Sequence, residues 1–177
     1  MKFKALVAGM ALGVVAGNAL AAVDGSVGVA VPPAQASSSG NLIVSLTVPN
    51  IVRISNLNDI PLGTYAGVDM SGSDDVCVYR NITGNYRITA DSTNGAGAFE
   101  LEDAGNTSVI PYTVSWGAAA LTENTALTGQ TGAATTSTTC GGTPNVTVGV
   151  GVLATDIEAA TVTGSHSDTL VLTLTSE

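Results

Sequence analysis

The sequence is short of charge, of aromatic rings and above all of positive charge. Of its 177 residues 11% are charged and 4% aromatic, and five Lys and Arg stand against fourteen Asp and Glu. An average soluble protein is about 25% charged. Because phosphate binding needs clustered cations, this balance excludes nucleic acid and anionic lipid as partners. With one His and two Cys there is no zinc-ligand cluster, and neither a phosphate-cradling glycine loop nor a nucleophile elbow occurs. Long helical patterns are absent. After the first residues no apolar run approaches the roughly 20 residues that cross a bilayer. What is abundant is small and β-branched: hydrophobic residues make up 45%, with 21 Gly, a composition suited to β-structure.

The start of the chain has its own pattern. Met1-Lys2-Phe3-Lys4 precedes an apolar run from Ala5 to Gly17, and Ala19-Leu20-Ala21 supplies a small-x-small cleavage site, which reads as a secretory signal over residues 1–21. Cleavage removes both lysines and leaves Arg53, Arg80 and Arg87 as the basic residues. In an exported chain the pair Cys77 and Cys140 reads as one disulfide. Val23, Val27, Val29 and Val31 share one parity, so this segment has a face that could be buried. The Pro/Ser/Gly stretch 32–40 then reads as a linker, making 22–40 a flexible extension.

From Leu42 the alternation returns. Leu42, Val44, Leu46 and Val48 lie on one face, and Pro49-Asn50 interrupts before a second strand, Ile51 to Leu57. Further strands are expected over 76–80, 86–91, 98–101, 110–116, 145–153 and 168–175, separated by Gly/Asn turns at the spacing of an all-β sandwich. The stretch 127–139 reads as a long loop or irregular edge strand. The acidic residues of 69–75 and 100–103 read as solvated loops, since their spacing does not match the helix-loop-helix calcium pattern. Ser165-His166-Ser167-Asp168 places the three residue types of a hydrolytic triad side by side. Consecutive residues of an extended chain point to alternate faces, so adjacency argues against a triad. No catalytic, cofactor-binding or metal site is expected.

Several segments together point to a family. The carboxy-terminal run Thr163 to Thr175, with Gly164, His166 and Asp168 followed by alternating Leu170, Leu172 and Leu174, resembles the ending of bacterial pilins of the spore coat protein U type, subunits of archaic chaperone-usher pili. Leu62-Gly63-Thr64-Tyr65 and Val76-Cys77-Val78-Tyr79 are similar to two further motifs of that family. Leu42 to Leu57 and Ile110 to Gly117 are similar to alpha-type (class 5) fimbrial subunits. The chain departs from the family with His166 for Tyr, Leu62 for Phe, and no early cysteine in 51–55, so that Cys77 must pair with Cys140.

The resemblance implies an immunoglobulin-like β-sandwich over 50–177 that is incomplete and is completed by a donated strand. It implies a periplasmic chaperone, an outer-membrane usher and other pilin subunits as partners, no cofactor, and a place in a surface pilus serving adhesion and biofilm formation. On that pattern 41–49 carries the donor strand through Leu42, Val44, Leu46 and Val48, with Val23, Val27, Val29 and Val31 as the rival set. The alternative is a self-contained secreted sandwich acting as an adhesin or carbohydrate-binding module, which would expose Trp116 or Tyr112 in a pocket.

Overall fold

Val146 to Val152 alternates Val with Thr or Gly, and the valines turn inward along one face of a strand, the period-2 behaviour that organises the whole sandwich. The computed structural model describes residues 24–29, 33, 35–95 and 97–177. The signal segment, Val23 and Val31 lie outside these. The chain divides into two units, Met1–Val48 and Pro49–Glu177. The first has neither helix nor regular strand among its described residues.

The second unit is all-β. Its strands are β1 (Val52–Ser55), β2 (Met70–Arg80), β3 (Tyr86–Ser92), β4 (Glu100–Asp103), β5 (Val109–Pro111), β6 (Thr113–Trp116), β7 (Ala119–Ala120), β8 (Leu127–Gln130), β9 (Val146–Val152), β10 (His166–Ser167) and β11 (Leu170–Ser176), with a short α-helix, α1 (Ala154–Glu158), and a single 3-10 turn at Cys140–Gly142. They form a five-stranded sheet in the order β1-β2-β9-β6-β7, a three-stranded sheet β11-β3-β8, and a small sheet β10-β4-β5. Every strand pair is antiparallel.

The two larger sheets share one core. Val76, Val78, Val114, Val148 and Val152 from the first meet Tyr86, Ile88 and Ala90 from the second. Each valine or isoleucine among them contributes about 1.5–3 kcal/mol when fully buried. Tyr86 and Trp116 join the layers edge to face with ring centroids 6.5 Å apart, and Trp116 Nε1 donates to Tyr86 Oη at 3.1 Å. Both Trp116 and Tyr112 are buried.

Strand β2 corrects the sequence reading. It begins at Met70, so 70–75 is strand rather than acidic loop, and 100–103 is likewise strand, β4, because Leu101 packs inward. Met70, Gly72, Asp74, Val76 and Val78 share the inward parity. Asp74 is tolerated there because its carboxylate accepts from Asn58 N at 2.7 Å and Asn58 Nδ2 at 3.0 Å. The acid on the other face, Asp75, accepts from Thr147 Oγ1 at 2.6 Å. Tyr112 likewise breaks the expected single strand 110–116 into β5 and β6.

Cys77 and Cys140 are bonded, with Cα atoms 5.8 Å apart. The bridge ties the excursion 131–144 to the upper half of β2. There Ala134 O accepts from Arg80 N and Ala134 N donates to Val78 O, both at 2.8 Å. Asn145 Oδ1 accepts from Val78 N at 2.8 Å, standing in for a missing strand neighbour.

Candidate functional site

The last strand is an edge strand. Thr93 N donates to Thr169 O and Glu177 N to Asn85 O, so with Leu170 opposite Ser92 the odd-numbered residues of β11 exchange main-chain bonds with β3. The N–H and C=O groups of Leu170, Leu172, Leu174 and Ser176 therefore point away from β3, along an edge that no other strand occupies among the described residues. The same three leucines turn their side chains toward the core and are half-buried. A seven-residue strand thus presents an unsatisfied ladder and an apolar face together.

Beside this edge lies a cavity of about 330 Å³, whose walls include Leu170 and Leu172 on one side, Leu57, Ile60 and Leu62 on the other, and Val148 and Val150 at its floor. The far wall is the irregular segment 56–66, which makes no main-chain to main-chain hydrogen bond among the described residues. Side chains hold it instead: the Asp74–Asn58 pair, Asn56 Nδ2 to Asp75 O at 2.7 Å, and Ile60 seated on Gly72. A Cβ at Gly72 would lie 2.5 Å from Ile60 Cγ2, so glycine is what lets the wall close on β2. In the sequence these supports are hidden, because Asp74 stands in an acidic run whose charge suggests solvent. The Met70/Gly72/Asp74 parity was the signal that could have found them.

The lower end of the groove is polar and ordered. Tyr112 Oη donates to Asp168 Oδ2 at 2.6 Å, and Thr93 donates to Asp168 Oδ1 through N at 3.1 Å and Oγ1 at 3.0 Å. Burial opposes the Asp168 charge, but the bonds from Tyr112, Ser92 and Thr93 outweigh it and hold its carboxyl below the usual range. Burial first, then the bond to Asp168, pushes the Tyr112 phenol far up. Asp168 is thus the joint between the sheets at the start of β11. It is not bonded to His166, whose Nδ1 faces Gly164 O at 3.2 Å from the short strand β10. The adjacent Ser, His and Asp therefore form no relay. Gly164 stands at a φ of 130°, a turn conformation few other residues adopt.

Among the described residues before Pro49 there is no regular strand. Leu42, Val44, Leu46 and Val48 are exposed by 74%, 87%, 86% and 62%, and Val27 and Val29 by 90% and 87%. Val48 leads into Pro49 and Asn50, and Asn50 Nδ2 donates to Ser176 Oγ at 2.9 Å. The second unit therefore begins, with Pro49 and Asn50, at the Ser176 end of β11.

No family model and no curated protein matches this sequence. Among solved structures, a chain of a chaperone–tip adhesin complex from CFA/I fimbriae biogenesis is similar, with a TM-score of 0.49 and 18% identity over 71% of this chain and 42% of that one. This chain spans less than half of that chain's length.

Proposed function

We propose that the protein is a non-enzymatic structural subunit of a surface fibre, built by donating the segment Leu42 to Val48 of one copy to the open edge of β11 in the next. The observation that carries this reading is the pairing of complementary defects in one chain. One is an edge strand with free main-chain groups beside an apolar cavity. The other is an unpartnered segment with four exposed apolar side chains on one parity. A lone strand is not stable in water, and an apolar edge invites a strand from elsewhere. Strand addition satisfies both, with main-chain bonds giving affinity and alternate side chains giving specificity. A head-to-tail contact of this kind does not close and so extends into a filament.

On this reading the family resemblance supplies the rest. The segment 1–21 is the export signal, a periplasmic chaperone covers the β11 edge before assembly, an outer-membrane usher joins the subunits, and the fibre serves adhesion and biofilm formation at the cell surface. Burial of Trp116 and Tyr112 favours this reading over a sugar-binding module, which needs exposed rings. Purified mature chain is expected to form oligomer ladders that resist detergent and collapse on boiling, and deletion of Ala22–Val48 is expected to abolish them. A mature chain that stays monomeric with the segment present overturns the proposal.

A further inference from the structure

The second unit is electrically polar along its strands. Register places all three of its arginines at the Ser176 end of β11: Arg53 opposite Tyr79, Arg80 at the end of β2, and Arg87 opposite Thr175. Arg53 and Arg87 are exposed, whereas Arg80 is buried and donates to Asn85 O and Glu177 O. One acid, Glu177, shares that end, where its carboxylate accepts from Gly129 N, but most of the acids gather at the Leu170 end. Asp91 lies opposite Val171, the three acids of β4 lie beside β10, and Asp156 and Glu158 lie in α1 just after β9. Asp69 accepts from Ala154 N at the same end, and Asp168 precedes β11. Among the described residues that end carries neither Lys nor Arg.

We infer that these two ends are mating surfaces, so that the arginine end of one copy docks on the acidic end of the next and sets the direction of assembly. This inference rests on the strand-donation reading. In an antiparallel insertion the donated segment runs from the acceptor's Ser176 end to its Leu170 end. Its Val48 then emerges beside Asp168, and the donor's own second unit begins there with Pro49 and Asn50. Those residues sit at the donor's arginine end, because Asn50 bonds Ser176. Arg53 and Arg87 of the incoming copy thus face Asp91, Asp156 and Glu158 of the acceptor. Parallel insertion would bring Val48 out at the acceptor's own arginine end and set like charges together. Antiparallel ladders are already slightly the more stable, and the charge layout adds a penalty against the wrong orientation and steers the right encounter.

The test uses purified mature chain and follows ladder formation with time at several salt concentrations. Arg53→Glu/Arg87→Glu, made at exposed positions, is expected to slow assembly about tenfold at low salt and to turn a rate that falls with salt into one that rises. Arg53→Gln/Arg87→Gln should fall between. Adding Asp91→Lys/Asp156→Lys to the reversed pair makes the ends complementary again and should restore the rate. A wild-type rate in the reversed pair, or no rescue in the fourfold variant, overturns the docking inference. Leu46→Asp separates the two claims: it should abolish ladders whatever the end charges, and ladders that persist in it sink the strand-donation reading itself.

Discussion

Leu46 offers a sharp perturbation because it is exposed by 86% before assembly and would be buried after it. Leu46→Ala removes three carbons. At about 0.8 kcal/mol per buried methylene this is a loss of roughly 2–3 kcal/mol in the filled groove, or about 30- to 140-fold in strand capture. The same change in the isolated subunit touches nothing, so its unfolding free energy should stay within about 0.5 kcal/mol of wild type. The assay pairs the temperature at which unboiled ladders fall apart in detergent with chemical denaturation of the monomer. Val29→Ala, in the rival segment, is the matched control and should change neither. Ladders as robust in Leu46→Ala as in wild type, with Val29→Ala weakened, would transfer the donor role to the earlier segment. A monomer destabilised by Leu46→Ala would show that the segment completes its own sheet, refuting donation to a neighbour.

Other outcomes follow from the second unit itself. Replacing both cysteines with alanine opens a crosslink spanning 63 residues. In the chain-entropy model it costs about 4 kcal/mol of stability, measurable by urea denaturation with and without reductant. Asp103 accepts from Thr107 N, with Gly105 N and Ser108 N, and these bonds outweigh its partial desolvation to hold its carboxyl at about 2, below the ordinary 3.8. Because the folded value lies below the unfolded one, its contribution is complete above about pH 4 and fades as pH falls toward 2. Asp103→Asn should therefore lower the thermal midpoint at pH 6 and converge on wild type near pH 2; a constant gap would refute this assignment. Gly72→Ala drives a Cβ against Ile60 and should cost about 1–3 kcal/mol by overpacking, read by denaturation. Unchanged stability there would mean that the 56–66 wall moves freely.

Period-2 alternation is local, and for that reason much of the sandwich was legible without coordinates. Val146 to Val152 and Leu170 to Leu174 each announce a strand from the residues alone, whereas the equally regular stripe Leu42 to Val48 is exposed and, among the described residues, pairs with no sheet of its own chain. The bond between Cys77 and Cys140 is what an even pair of cysteines leads one to expect in a chain whose start reads as an export signal. Asp74 and Asp75 misled because their charge suggested solvent, while Asn58, sixteen residues earlier, satisfies the inward one.

What residues alone determine here is which faces are apolar, because a strand's side chains alternate whatever it pairs with. Which main-chain edge stays open is decided by pairing between distant segments. β11 lies against β3 through one set of N–H and C=O groups, and only the topology leaves the other set, the cavity beside it and the opposed charges of the two ends available to another molecule.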